Sequence, residues 1–186
     1  MPREADPQLE ERILEAARKL WHKGGEKILT MRAVARAAGT TTPTLYERFK
    51  DKREILHALS REAQYSLFAA LQPSRSPQAA CRRYLEFALT HPNEYELLLV
   101  RWGSRVAEKR ETPNFDFFLS LLDKTLGGSR GQRTHLFAAL FSQLHGTAKL
   151  LNGGNVPEEI AGQLRRSCLQ ACDVLLKNAP SLMLGK

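Results

Sequence analysis

The chain of 186 residues is 42% hydrophobic and 26% charged, which is typical of a soluble protein with one large or two small globular domains. No apolar run approaches the roughly 18 residues that span a bilayer, and the N-terminal residues contain no apolar signal-peptide core, so we expect no membrane association and a cytoplasmic location. The formal charge of +8 favours polyanionic partners only weakly, because more than half of the excess lies after residue 70.

The chain begins with two predicted helices. Apolar residues recur at helical spacing between Leu9 and Trp21, which predicts a first helix with one buried face. Thr30 then precedes a short second helix, and its hydroxyl can accept a hydrogen bond from an unpaired backbone N–H there. Gly39 ends this helix, because glycine enters the left-handed conformation without a side-chain clash. A short helix closed by glycine is typical of a helix-turn-helix.

The third predicted helix follows that turn. Thr41 is its expected N-cap, and Pro43 falls in the first turn, where a residue without an N–H costs nothing. Leu45 and Phe49, four residues apart, predict its buried stripe. The helix-turn-helix should therefore point its remaining side chains outward.

A fourth helix is predicted at about residues 51–71. Asp51 and Glu54 have the D-x-x-E spacing of a capping box, which marks its start. The Pro- and Ser-rich run QPSRSPQ follows and marks a domain junction. We therefore expect an N-terminal domain at 1–54, a C-terminal domain at 72–186, and the fourth helix connecting them.

The exposed positions of this helix-turn-helix are hydrogen-bond donors and cations, which suit phosphate oxygens and base edges. Between positions 30 and 53, six Lys and Arg residues are opposed by two acids, a net charge of +4. Polar residues on an exposed helix face are often only solvated and bind no partner. The glycine turn, the caps and the threonine cluster together nevertheless favour DNA binding here. The predicted contacts are Thr30, Arg32, Thr41, Thr42, Pro43, Thr44, Tyr46, Arg48, Lys50 and Lys52.

The run AAGTTTPTLYERFKDKREIL closely resembles the signature of TetR-type transcriptional regulators. The match covers roughly the first third of the chain, and Arg48 departs from it where many members carry histidine. Both side chains donate to phosphate, so this departure should alter affinity and leave function intact. The matching residues are Ala38, Gly39, Thr41, Pro43, Thr44, Leu45, Tyr46, Phe49 and Lys52.

Beyond the junction every extended segment has helical periodicity, and none alternates as a strand does. Prolines and paired glycines separate five predicted helices. Their approximate spans are 77–90, 92–111, 114–126, 130–152 and 156–178. With the four N-terminal helices they predict an all-α chain of about nine helices, the usual number in the family that the N-terminus resembles.

The last two predicted helices form a hairpin with two apolar stripes. The resemblance implies that this pair packs against the same pair of a second subunit as a four-helix bundle, so we expect a homodimer. The hairpin also resembles a tryptophan-histidine-glycine type of C-terminal domain at His145 and Gly146, with Ser142 at the tryptophan position. Alternatively, the stripes fill only the subunit's own core. The predicted interface residues are Leu144, Ala148, Leu151, Leu164, Cys168, Ala171 and Leu175.

Two recognition helices in a dimer reach successive major grooves only when they stand about 34–36 Å apart. The resemblance therefore implies a repressor of a pseudo-palindromic operator, released when a small-molecule effector changes that spacing through the fourth helix. Helices five to eight should enclose the effector, with His145 as the best polar contact, although aromatic residues at helical spacing more often form core packing. The candidates are Tyr84, Tyr95, Trp102, Phe118, Phe141 and His145.

Other functional classes lack their motifs. The five histidines are scattered, and no G-x-S-x-G, H-E-x-x-H or phosphate-binding loop is present, so no enzyme, metal site or cofactor is predicted. Cys81, Cys168 and Cys172 include no C-x-x-C pair, and core packing is favoured for them over a metal or thiol-sensing role. An architectural DNA-binding protein whose C-terminal domain only dimerises is the remaining alternative.

Overall fold

The computed structural model of the protein describes residues 8–100, 113–126 and 129–179, and all regular structure in these ranges is α-helical. The helices are α1 Leu9–Ile28, α2 Met31–Ala37, α3 Thr42–Tyr46, α4 Lys52–Leu71, α5 Pro77–Thr90, α6 Pro92–Leu99, α7 Pro113–Leu126, α8 Arg130–Asn152 and α9 Glu158–Lys177. The predicted all-α class and its nine helices are confirmed for these ranges. No described helix combines the length and apolar content needed to cross a bilayer.

The chain forms two compact units. The first contains Met1–Ala63 and Asn93–Glu108, and the second contains Gln64–Pro92 and Lys109–Lys186. The division falls inside α4, between the boundaries at 54 and 72 that the sequence indicated. The second unit differs from the predicted C-terminal domain in two places. It begins at Gln64, inside α4, and it excludes α6 from the second residue of that helix onward.

Long-range contacts explain why α6 belongs to the first unit. The indole Nε1 of Trp21 in α1 donates a hydrogen bond to the backbone carbonyl of Asn93, at 2.9 Å. Tyr95, two residues further, is fully buried. The apolar core of this unit includes Ile13, Ala17, Trp21, Leu29, Val34, Ala35, Leu45, Phe49, Ile55, Leu59, Ala63 and Tyr95.

Helix α1 is interrupted near its end by two glycines. Gly25 has φ +62° and ψ −151°, a conformation that is essentially limited to glycine. The helical turn that follows leads to Leu29, which is fully buried, and to Thr30, which caps α2. The interruption therefore sets the direction of residues 26–28, the last turn of α1, relative to the rest of the helix.

Gly39 ends α2 in the left-handed conformation, with φ +67°. The N–H of Thr40 donates to the carbonyl of Ala35 at 3.0 Å, and the N–H of Gly39 donates to the carbonyl of Arg36 at 3.3 Å. This pair of bonds is the Schellman pattern, which satisfies carbonyls at a helix C-terminus. The predicted glycine turn is confirmed.

In the second unit, α8 packs against α5, α7 and α9. Its N-terminus has a capping box, in which the Ser129 hydroxyl accepts from the N–H of Gln132 at 3.3 Å and the Gln132 amide oxygen accepts from the N–H of Ser129 at 2.9 Å. At its other end, the Asn152 amide donates to the carbonyl of Ala88 in α5 at 2.9 Å. Both ends of α8 are therefore fixed by side-chain hydrogen bonds.

The three cysteines of the second unit are buried free thiols, as predicted, with Cys81 on α5 and Cys168 and Cys172 on α9. A hydrogen bond with Cys172 and burial both raise the pKa of Cys168. The bond with Cys168 lowers the pKa of Cys172, but the bond with Cys81 and burial outweigh it and raise the pKa to about 12. The two thiols of α9 therefore stay protonated at neutral pH.

We expect Gly39→Ala to lower the free energy of unfolding by about 1 kcal/mol, because an alanine pays a conformational penalty at positive φ. A Cβ at Gly39 would meet no atom within 4 Å, so the penalty comes from the backbone alone. Gly131→Ala in α8 is the matched control, since its Cβ would also have room and its φ is not positive. Denaturant titration should show a loss only for Gly39→Ala; equal stability of both variants would contradict the argument.

We expect all three thiols to react with a disulfide reagent such as dithionitrobenzoate far more slowly in the native protein than in denaturant. Burial blocks access to them, and the raised pKa of Cys168 and Cys172 removes the thiolate that attacks the reagent. Native labelling at the rate of the unfolded chain would contradict a packed thiol cluster.

Candidate nucleic-acid interface

The caps of α2 and α3 are formed by threonine hydroxyls, as predicted. The Thr30 hydroxyl accepts from the N–H of Ala33 at 3.2 Å, and the Thr41 hydroxyl accepts from the N–H of Thr44 at 3.3 Å. The hydroxyls of Thr41 and Thr44 also lie 2.9 Å apart, within hydrogen-bond distance. These bonds fix the first turn of α3, whose second residue is Pro43.

The buried side of α3 is formed by Leu45 and Phe49, which are 0% and 6% exposed, as the sequence predicted. The helix itself is shorter than expected and ends at Tyr46. The N–H of Phe49 still donates to the carbonyl of Leu45 at 2.9 Å, so the turn after the helix keeps Phe49 in the core. Arg48 and Lys50 consequently lie in this turn and not on the helix.

The predicted cap at the start of α4 is present in a modified form. The Asp51 carboxylate accepts from the N–H of Glu54 at 3.1 Å, whereas the Glu54 carboxylate accepts from the N–H of Lys50, one residue before the position that a capping box uses. The side chain of Arg53 also donates to Asp51, at 2.9 Å, and this bond lowers the pKa of the Asp51 carboxyl. Asp51 therefore stays charged and retains Arg53.

Lys52, the first residue of α4, is also paired. Its Nζ lies 3.0 Å from a carboxylate oxygen of Glu26, at the end of α1. Two of the six cations between positions 30 and 53 are thus neutralised by nearby acids. Among the described residues, the remaining four are exposed and have no ion pair: Arg32, Arg36, Arg48 and Lys50.

All ten predicted DNA contacts belong to the first unit. Three of them are half-buried, namely Thr42, Thr44 and Lys52. The other seven are exposed: Thr30, Arg32, Thr41, Pro43, Tyr46, Arg48 and Lys50. Tyr46 is a large side chain that is exposed beside the turn, with 52% of its surface accessible. Arg36 is a further exposed cation of α2 that the predicted set omitted, although its position in the charged segment gave the signal.

Four of the six predicted effector-binding residues meet in one aromatic cluster of the second unit. Phe141 stacks on His145 with ring centroids 5.6 Å apart and meets Tyr84 edge to face at 6.0 Å. Phe137 joins Phe118, at 5.5 Å, to Phe141, at 5.8 Å. Phe137 was missing from the predicted set, although it precedes Phe141 and His145 at four-residue spacing along α8.

The other two candidates do not join this cluster within the described structure. Tyr95 lies in the first unit and is fully buried in its core. Trp102 lies outside the described residues. The described effector candidates are therefore Tyr84, Phe118, Phe141 and His145, with Phe137 added.

The predicted dimer residues fall into two groups. Leu144, Ala148 and Cys168 are at most 2% exposed and fill the core of their own unit. Half-buried positions are taken by Leu151, Leu164, Ala171 and Leu175. The large apolar side chains that α8 and α9 expose are instead Leu150, Ile160 and Val174, at 62%, 44% and 58%. Leu150 and Val174 are each one residue before a predicted interface residue, Leu151 and Leu175, whereas Ile160 is four residues before Leu164.

Among the described residues, no three His, Cys, Asp or Glu side chains gather in an arrangement that could hold a metal ion. The same holds for the three thiols Cys81, Cys168 and Cys172. The chemistry of the first unit is therefore that of hydrogen-bond donors and cations on a helix-turn-helix, which can contact a nucleic-acid backbone and its bases.

Two family models match the chain. The model described as bacterial regulatory proteins of the tetR family matches residues 13–59, which include the whole helix-turn-helix. The model described as a tetracyclin repressor-like C-terminal domain matches residues 78–173, which is more than half of the chain.

Known proteins agree with these matches. The chain is 31% identical over 180 residues to tetracycline repressor protein class D of Escherichia coli, covering 88% of this chain and 79% of that protein. A TetR-like transcriptional regulator from Rhodococcus sp. RHA1 has a TM-score of 0.62 at 19% identity, covering 96% of this chain and 99% of that one. A protein of unknown function from the same organism has a TM-score of 0.71 at 21% identity, covering 96% and 98%. The likeness to these two structures shows a shared fold.

Family membership confirms the resemblance found in AAGTTTPTLYERFKDKREIL and the prediction that the protein is not an enzyme. The chain belongs to the TetR family of DNA-binding transcriptional regulators.

Proposed function

We propose that the protein is a homodimeric repressor, which binds a pseudo-palindromic operator in the cytoplasm and leaves it when a small molecule binds. The observation that carries the proposal is the capped helix α3, with Leu45 and Phe49 buried and donors exposed beside four cations that have no ion pair within the described part of the chain. The E. coli relative is a tetracycline repressor, which supports repression over activation.

Within this proposal the exposed side chains divide between base contacts and phosphate contacts. Thr42 is the first residue of α3, and its hydroxyl is a donor and acceptor suited to base edges. Tyr46 and Lys50 follow at the far end of α3 and in the turn, where a phenol and an ammonium suit phosphate oxygens. Thr41 and Thr44 are less free to read bases, because their hydroxyls are engaged in the cap.

The exposed apolar residues of α8 and α9 support dimerisation. Leu150, Ile160 and Val174 expose large side chains, although both helices already bury another apolar face within their own unit. A second apolar face on a helix is favourable only when another surface covers it and removes it from water. We therefore propose that these three residues lie in the subunit interface, flanked by the half-buried Leu151 and Leu175.

The aromatic cluster supports an effector with apolar or aromatic surface. Phe137, Phe141 and His145 are half-buried along one side of α8, and the planes of Phe141 and His145 differ by only 5°. Flat rings of this kind stack on flat ligands, and His145 adds a donor or acceptor. We propose that effector binding at this cluster lowers the affinity for the operator.

We expect Tyr46→Phe to weaken binding about tenfold for each subunit that loses a hydrogen bond to phosphate, equally on all sequences. Lys50→Gln should also weaken binding on all sequences, and it should flatten the dependence of log K on log salt by about 0.9 per subunit.

Thr42→Val should instead change the preferred base at one position of each half-site. The measurement is a mobility shift on the DNA flanking the protein's own gene.

Tyr65→Phe is the matched control for Tyr46→Phe. Tyr65 is exposed to a similar degree, 56% against 52%, but it lies in the part of α4 that belongs to the second unit. Wild-type binding by all three first-unit variants would refute the proposed interface. Binding that no tested small molecule reverses would favour the architectural alternative.

We expect Val174→Arg to halve the particle mass in light scattering, because a charged side chain would replace an apolar contact in the interface. The variant should still fold, since Val174 is 58% exposed in the single chain. Tyr65→Arg, a substitution at a similarly exposed position outside α8 and α9, should leave the mass unchanged. A Val174→Arg protein of wild-type mass would exclude this face from the interface.

A further inference from the structure

Lys52 stands at an electrostatically unfavourable place for a cation. It is the first residue of α4, where the unpaired backbone N–H groups and the helix dipole produce a positive potential. Its ammonium lies 3.0 Å from the Glu26 carboxylate, an acid from another helix. The positive potential at the start of α4 favours a negative charge there. In the free protein, the Glu26 carboxylate supplies that charge and pairs with Lys52.

The backbone holds Glu26 in this position. The break at Gly25 changes the direction of the chain within α1, and Leu29, four residues after Gly25, is fully buried, so Glu26 lies between two fixed points. Glu26 and Lys52 are 26 positions apart in the sequence, so their pairing depends on the fold of the first unit.

The Glu26–Lys52 pair can open at little cost. The two side chains are 52% and 36% exposed, and ion pairs with this degree of exposure are weakened by water and salt. Among the described residues, Lys52 is the one hydrogen-bonding or ion-pairing partner that the Glu26 side chain has. A phosphate oxygen has the same charge as the carboxylate and can take its place.

The neighbouring pair of Arg53 and Asp51 differs in this respect. The Asp51 carboxylate also caps α4 by accepting from the N–H of Glu54, and Arg53 holds it with two nitrogens, at 2.9 and 2.8 Å. Two contacts must break before that pair opens, against one for the Glu26–Lys52 pair. Of the two paired cations at the start of α4, Lys52 is therefore the one that a DNA phosphate displaces from its acid more easily.

We propose that the Glu26 carboxylate competes with DNA phosphate for the Lys52 ammonium of the same subunit. This competition lowers the affinity of the protein for DNA, whatever the DNA sequence. This inference rests on the proposed function, because it assumes that Lys52 meets the operator backbone. When a phosphate replaces the carboxylate, the Glu26 charge is left facing a polyanion and must attract a counterion. The contact of Lys52 then yields little net counterion release.

Glu26→Gln removes this competition while keeping the size and shape of the side chain. We expect the variant to bind two- to fivefold more tightly per subunit, about the strength of an exposed ion pair. The slope of log K against log salt should become steeper by about 0.9 per subunit, because one more phosphate is effectively neutralised. The probes are a duplex that the wild-type protein selects from a random pool and an unrelated duplex of equal length, each at about 50 to 200 mM salt.

Asp116→Asn is the matched charge control. It also removes one negative charge from an exposed pair, with Arg130 at 3.1 Å, but both residues lie in the second unit. Unchanged affinity for Asp116→Asn together with tighter binding by Glu26→Gln supports a local effect. Equal gains in the two variants would trace the effect to net charge and overturn the proposal.

A double mutant tests whether Glu26 acts through Lys52. In a Lys52→Gln background, Glu26→Gln should produce little further gain, whereas an undiminished gain would mean that Glu26 repels DNA independently of Lys52. Weaker or unchanged binding by Glu26→Gln alone would overturn the proposal and leave the proposed function intact. Absence of wild-type binding to any selected duplex would instead refute the proposed function.

Discussion

The position of α3 is the constraint on which DNA recognition by this protein depends. A helix of five residues cannot be stable by itself, because isolated helices shorter than about 12 residues are marginal in water. Burial of Leu45 and Phe49 contributes about 1.5–3 kcal/mol each, and the Thr41 cap contributes about 1 kcal/mol. The exposed side chains of α3 are thus positioned by the burial of Leu45 and Phe49 and by the cap at Thr41.

Local rules account for what the sequence could predict in this region. The turn at Gly39, the cap at Thr41 and the first turn around Pro43 each depend on residues no more than about five positions away, so a single sequence contains the whole signal. The bond from Trp21 to Asn93 joins residues 72 positions apart, and no spacing rule connects them. For this reason the helices were predictable, whereas the membership of α6 in the first unit was not.

The last two helices show a different limit of prediction. Periodicity identifies an apolar stripe on a helix, but it does not say which neighbour that stripe faces. In α9, apolar residues occupy more than one face, so the spacing from Cys168 to Ala171 and Leu175 was as regular as the spacing from Cys168 to Cys172 and Leu176, which are buried. Packing against α5 and α8 selects Cys168, Cys172 and Leu176 for the core and leaves Val174 outside. The ring contacts along α8 follow directly from the four-residue spacing of Phe137, Phe141 and His145, so this part of the aromatic cluster can be derived from the sequence.

Charge is informative here only when its pairing is known. The net charge of +8 is a poor guide to DNA binding, and the +4 of residues 30–53 counts cations that acids nearby already hold. Arg53 is bound to the acid that caps α4, and Lys52 is bound to Glu26, so each is offset before DNA arrives. Cations without an acidic partner contribute most to the affinity for a polyanion such as DNA. When a cation leaves a carboxylate to bind DNA, the carboxylate stays nearby without a counter-charge and is repelled by the DNA. If Glu26 competes as proposed, the affinity of the helix-turn-helix for DNA depends on which of its cations are held by acids of the first unit, as well as on the number of cations.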